Sequence, residues 1–230
     1  MVKLYLDVGH GGSDPGAVGN GLKEKDLTLQ ISKKINDLLK DYEGIIVKMS
    51  RSTDKTLSLK QRTDEANKWG ADLLLSIHIN AGGGTGFESF IYNGNVSSNT
   101  VKYRDTIHNE IMKQLKGVRD RGKKRANFHM LRESKMPAIL TENMFIDTKK
   151  DADQLKKQSF INKIAQGHVN GIVKLFNLKK KKTASKPSTN KGETFYRVVA
   201  GSFKNRKNAD DQVKKLKKQG YNAFIDVYKK

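Results

Sequence analysis

The sequence predicts an α/β domain built on a mostly parallel, twisted sheet flanked by helices, followed by a small strand–helix–strand unit. Three observations predict it. Short apolar runs alternate with stretches of helical periodicity through residue 178. A lysine-rich stretch at 179–193, with Ser, Thr, Pro and Gly but no apolar periodicity, then reads as an extended linker. One strand–helix–strand pattern fills residues 194–230.

Taken in order, Leu4-Tyr5-Leu6-Asp7-Val8 reads as the first strand. Leu27, Ile31, Ile35, Leu38 and Leu39 fall on one face of the helix that follows. Ile45-Ile46-Val47 is the second strand, Leu59 to Trp69 the second helix and Leu73 to Ile77 the third strand. Phe87 to Tyr92 gives a fourth strand, and a long helix is expected from Ser97 to Leu115. Ala138-Ile139-Leu140 is a further buried strand, and Phe160 to Phe176 a closing amphipathic helix. Beyond the linker, Phe195 to Phe203 and Tyr221 to Tyr228 read as strands, with Ala209, Val213 and Leu216 on a helix between them.

Composition narrows the chemistry. The chain has 230 residues, room for one catalytic domain and something small, and its hydrophobic content of 36% supports a real core. Absence of cysteine excludes disulfides, thiolate nucleophiles and cysteine-ligated zinc, leaving His, Asp and Glu as metal ligands. No apolar run is long enough to span a membrane, and Met1 leads directly into strand pattern without a signal-peptide core. Nothing in the sequence marks the chain for the general secretion route. The net charge of +21 favours polyanionic partners. It is concentrated towards the end: residues 1–178 carry 29 basic and 20 acidic groups, residues 194–230 ten and three. Nucleic acid is disfavoured as partner, because the tail has no helix-turn-helix or zinc-finger spacing and few stacking aromatics.

In open α/β sheets, ligands bind beyond the carboxyl ends of the strands. There the first strand reaches Gly9-His10-Gly11-Gly12, the third Ile77-His78-Ile79-Asn80, and the late strand Thr141-Glu142-Asn143. Glu24 stands just before the first helix. Each alone has a bland reading: a hydrogen-bonded turn histidine, a carboxylate favoured by the helix dipole, a tight glycine turn. Together, two histidines and one carboxylate make the donor set of a catalytic zinc site with a fourth position open. A second carboxylate held off the metal can accept and return a proton. Ser76 and Asn80 share a strand face with His78 and are candidates to support it. Arg51 and Arg62 are candidates to pair structural carboxylates or substrate, with the structural role favoured. His108 and His168 read as packing or surface residues, and His129, upstream of Glu142, as a structural residue in preference to a substrate contact.

These residues, in this order, resemble the N-acetylmuramoyl-L-alanine amidases of the amidase-3 type, found in bacterial autolysins and phage endolysins. The likeness runs over residues 2–178 through Asp7-Val8-Gly9-His10-Gly11-Gly12, Asp14-Pro15-Gly16-Ala17 and Glu24-Lys25-Asp26-Leu27. It continues through Ser50-Arg51, Arg62, Ser76-Ile77-His78-Ile79-Asn80, Gly86-Phe87-Glu88-Ser89, Arg121-Gly122 and Pro137 to Glu142. The resemblance implies zinc held by His10, Glu24 and His78, with Glu142 as catalytic acid/base and peptidoglycan as substrate. The tail resembles half of a SPOR domain, a module that binds glycan strands stripped of their peptides, through Tyr196 to Phe203, Asn208-Ala209, Leu216 and Gly220-Tyr221. The alternatives are a zinc peptidase acting on the stem peptide and a wall-binding protein without catalysis. With the missing signal pattern, the resemblance implies a protein made in the cytoplasm that acts at the cell wall after release or lysis, either in phage-driven cytolysis or in sporulation.

Overall fold

The computed structural model describes residues 1–181 and 199–227, which cluster into two compact units, Met1–Lys182 and Thr183–Lys230. The first unit opens with β1 (Val2–Val8), the short hairpin β2 (Val18–Gly19) and β3 (Leu22–Lys23), and α1 (Glu24–Leu39). It continues with β4 (Ile45–Met49), α2 (Leu59–Trp69), β5 (Leu73–Asn80), β6 (Phe87–Tyr92) and α3 (Ser98–Gln114). β7 (Asp120–Ala126), α4 (His129–Arg132), β8 (Ala138–Phe145), α5 (Lys149–Leu155) and α6 (Gln158–Phe176) complete it.

Six strands form one sheet in the order β4-β1-β5-β8-β6-β7. The first four of these run parallel, while β6 lies antiparallel to β8 and parallel to β7. The expected mostly parallel α/β sheet is therefore present. Alternation along the strands sorts side chains between two faces. Leu4, Leu6, Leu75, Ile77, Phe87, Ile91 and Ile139 pack with α1, α3 and α6 through Ile31, Ile35, Ile107, Ile111, Ile164 and Ile172. On the other face, Tyr5, Leu74 and Leu140 pack with Ala66 of α2 and Met130 and Leu131 of α4. This second layer is thin, and polar side chains of β5, β8 and β6 share its face.

Several elements have visible local causes. α2 starts at a capping box in which Ser58 accepts from the Gln61 backbone, and it stops at left-handed Gly70. α1 begins with Glu24 and Asp26 in its first turn, where the dipole favours anions. β7, sequence Asp-Arg-Gly-Lys-Lys-Arg-Ala, was absent from the sequence expectations because it is a charged edge strand. β8 runs five residues beyond Leu140, to Phe145. Among the described residues, no helix is long and apolar enough to cross a membrane.

Two histidines set aside as packing or surface residues are buried. His108 bonds Ser89 and Asp120 through its two ring nitrogens, at 2.8 and 3.0 Å. His168 lies fully buried between the Ile164 carbonyl and the Thr141 hydroxyl. Desolvation pushes His168 down to about 4, opposed only by its bond to the Ile164 carbonyl. The folded form thus resists a proton that the unfolded chain takes up near pH 6.5. Stability should fall as pH drops from about 6.5 to about 4, by up to about 3 kcal/mol from this group. Denaturant melts at pH 7 and pH 4.5 check this: the drop should be smaller in His168→Gln, and an equal drop would assign the acid loss elsewhere.

The second unit contains α7 (Arg206–Lys218), capped by Asn205 and close to the expected helix. The expected flanking strands are corrected in part: 199–203 and 221–227 carry no strand ladder. A lone two-stranded pairing is marginal in water, and Val199, Phe203, Tyr221 and Val227 remain exposed. The rest of those two segments, and linker residues 182–193, lie outside the described residues. Lys179, Lys180 and Lys181, expected to open the linker, instead pair their backbone with Asp41, Tyr42 and Glu43.

Candidate metal centre

The site begins with the turn after β1. His10 adopts a left-handed backbone (φ 60°), uncommon for a residue with a side chain. Two buried arginines hold this turn. Arg62 donates to Asp7 at 3.0 Å and to the His10 carbonyl at 2.8 Å. Arg51 donates to the Gly9 and Lys25 carbonyls at 3.0 and 2.7 Å. Arg62 thus pairs a carboxylate as expected, whereas Arg51 holds backbone carbonyls instead. Gly16 also has positive φ, and a Cβ there would lie 2.6 Å from the Glu24 carboxylate and 2.7 Å from the His10 ring. Only glycine lets the loop close against both groups.

Glu24 is the first residue of α1, and its carboxylate accepts from the backbone N–H groups of Ala17 and Ile79, each at 2.9 Å. One oxygen lies 3.2 Å from His10 Nε2 and the other 3.0 Å from His78 Nδ1. The two imidazole rings meet edge to face with centroids 5.0 Å apart. Ligand atoms of His10, Glu24 and His78 all lie within 4.8 Å of one another. On its far side, His10 Nδ1 bonds Asp14 at 2.8 Å, which leaves Nε2 facing the cluster.

The electrostatics favour positive charge at this point. Burial alone would raise Glu24, but hydrogen bonds from both histidines hold it far below the usual carboxylate range. Burial alone would lower His78, yet its bond to Glu24 and the nearby Glu142 carboxylate carry it up to about 9. His10 moves up as well: burial opposes the shift, and Glu24 and Asp14 outweigh it.

Glu142 pairs with His78 across β5 and β8, and with Glu88 across β8 and β6. Residues in register share a face, so His78, Glu142 and Glu88 form a row. Burial pushes Glu142 up to about 7, with the carboxylates of Glu24 and Glu88 adding to the rise and His78 opposing it. Glu142 Oε2 is buried without a hydrogen-bond partner, a costly state for a polar atom that has no reacting group beside it. Ser76, on the same face, donates to Asp7 at 2.6 Å, and Asn80 donates to Glu88 at 2.6 Å. Neither bonds His78; Asn143 instead donates to the His78 carbonyl at 3.0 Å. A shallow cavity of about 200 Å³ opens beside the cluster, lined in part by His10, His78, Arg62, Leu57 and Leu59.

All four sequence-derived candidates thus meet at one edge of the sheet. Sequence reasoning gave no role to Asp14 or Glu88. The four-residue gap between His10 and Asp14 was the available signal for the first; Glu88 needed the strand register.

The fold and these residues have relatives. A family profile described as N-acetylmuramoyl-L-alanine amidase, amidase-3 type, matches residues 4–174, and a SPOR domain profile matches residues 176–226. The sporulation-specific N-acetylmuramoyl-L-alanine amidase of Bacillus subtilis (strain 168) is 50% identical over 98% of this chain and 84% of its own length. The endolysin of Bacillus phage SPP1 is 47% identical over 81% of this chain and 71% of its own. The solved catalytic domain of CwlV, an N-acetylmuramoyl-L-alanine amidase from Bacillus (Paenibacillus) polymyxa var. colistinus, superposes with a TM-score of 0.73 at 33% identity. That match covers 78% of this chain and all of the other.

Proposed function

The chain belongs to the amidase-3 family of N-acetylmuramoyl-L-alanine amidases, and from that premise we propose that it cleaves the amide between N-acetylmuramic acid and L-alanine in peptidoglycan with a zinc ion held by His10, Glu24 and His78. The donor set suits zinc: two neutral-capable imidazoles and one anionic carboxylate converge, and protons occupy the cluster where a cation would otherwise lie. When bound, zinc would supply Lewis-acid polarisation of the scissile carbonyl and acidify the attacking water.

The chain's own residues supply the rest. Glu142 takes a proton from the water as its oxygen attacks the lactyl carbonyl, then delivers that proton to the departing L-alanine nitrogen. Burial raises this carboxyl towards neutrality, which suits a group that must both take and return a proton. Asp14 holds the His10 tautomer, and Arg51 and Arg62 keep the His10 turn in place. The observation that carries the reading is the unpartnered Oε2 of Glu142, in strand register with His78.

The SPOR match supports glycan binding by the tail. Likeness to the sporulation-specific amidase runs through that tail, whereas the endolysin match leaves part of the chain uncovered. We therefore favour wall degradation during sporulation over phage lysis.

Purified walls treated with the protein should gain N-terminal alanine and release intact stem peptides. Chelator should stop the release and added zinc should restore it. Shortened peptides would identify a peptidase, and binding without release a non-catalytic wall protein.

A further inference from the structure

The sheet face that carries Glu142 continues past it onto β6 and β7, where the covering helices are absent or short. Glu88, opposite Glu142, has a side chain only 5% exposed, and it accepts from Asn80, from Arg121 Nε at 2.9 Å and from Lys124 Nζ. Among the described residues it is the one carboxylate paired with either cation. Two cations therefore share one anion, leaving a surplus positive charge. The cations reach solvent, with side-chain exposures of 24% for Arg121 and 38% for Lys124. Each is also braced by an aromatic ring: Arg121 stacks over Phe145 at 4.7 Å, and Lys124 stands over Phe90 at 5.8 Å.

The dimensions suit a neighbour of the scissile bond. Two strand steps from β8 through β6 to β7 span about 10 Å. An extended peptide advances about 3.3–3.6 Å per residue. With the L-alanine nitrogen at Glu142, a carboxylate on the next residue of the stem lies about 7–10 Å along, within reach of these cations.

Resting on the amidase reading, we infer that Arg121 and Lys124, anchored by buried Glu88, form a subsite for a carboxylate of the peptide stem beside the cleaved bond. Glu88 is the positioning residue: it fixes both cations at the floor of the open face while leaving donors free for an incoming anion. A planar guanidinium suits a carboxylate well, because its remaining N–H groups can bind both oxygens.

The test uses the full zinc-loaded chain and two soluble N-acetylmuramoyl-L-alanyl peptides. One has a free carboxylate on the second residue; the other has that carboxylate converted to a carboxamide. The wild type should favour the free carboxylate by about 10-fold or more in kcat/KM, mainly through KM, as expected for one charged hydrogen-bonded contact. In Arg121→Met this ratio should fall towards one, and in Arg121→Lys it should recover in part. Lys124→Met, which keeps the Arg121–Glu88 pair, should also reduce the ratio and serves if Arg121→Met fails to fold. Equal cleavage of both compounds by the wild type overturns the subsite and leaves the amidase reading standing. An unchanged preference in the variants overturns it too. Cleavage of neither compound, by a wild type that also leaves whole walls intact, removes the amidase reading and the subsite with it.

Discussion

Glu142→Gln should lower kcat by about 10²–10⁴-fold while the protein keeps its zinc. The substitution preserves shape and removes only the ability to take a proton. Glu142 bonds neither histidine nor Glu24, so the three-donor cluster should survive. Neutralising the side chain also ends its repulsion with Glu24 and Glu88, so the fold should hold or gain slightly. A melting curve no lower than that of the wild type would show that loss of turnover does not come from unfolding. Release of alanine termini from walls, with zinc content measured on the same sample, separates the outcomes. A variant that cuts within a few-fold of wild type would move proton transfer to another group. One that loses zinc would make Glu142 a ligand.

The sheet was legible where burial imposes a pattern. Strands around Leu4–Val8 and Leu73–Ile77 are apolar runs broken only by Asp7 and Ser76, because both faces are covered, and α1 and α6 show their buried stripes. β7 was not legible: an edge strand needs few apolar residues, and Arg121, Lys123, Lys124 and Arg125 disguise it as loop. The late strand was expected to end at Thr141-Glu142-Asn143, polar residues serving the site and its neighbours, and its continuation to Phe145 was not legible. In the tail, alternating apolar residues suggested strands on both sides of α7, but a pattern does not supply a pairing partner.

The candidate site divides along the same line. His10 was legible because it follows an apolar strand, His78 because it lies near the end of one, and Glu24 because it opens a helix. What surrounds them depends on register. The row from His78 through Glu142 to Glu88 exists only because β8 lies between β5 and β6 with this alignment. Chain order offers no hint of it, since β8 follows β6 and β7 in sequence yet inserts between β5 and β6. The same insertion brings Arg121 and Lys124 within reach of the reaction edge.

Glu24→Gln should reduce zinc affinity by more than the roughly 10–100-fold typical of losing an outer-shell partner, because the anionic donor itself is removed. It should also change how that affinity depends on pH. In the wild type, Glu24 helps to lift His78 to about 9, so below about pH 9 zinc must displace a proton to reach the ring. Affinity should then rise as pH increases from 7 to 9. Without the carboxylate, burial still lowers His78 and only the charges of Glu142 and Asp7 still raise it, so the ring gives up its proton more readily than in the wild type. The variant should therefore bind zinc weakly but with a flatter response between pH 7 and 9. Chelator competition at the two pH values, on both proteins, measures strength and slope together. The glutamine oxygen can accept from only one of the Ala17 and Ile79 backbone groups, so the metal-free variant should melt below the wild type, and a transition that stays cooperative is the control for folding. Wild-type affinity would remove Glu24 from the ligand set. Weak binding with an undiminished slope would mean that Glu24 binds the ion but that other groups govern the protons it displaces.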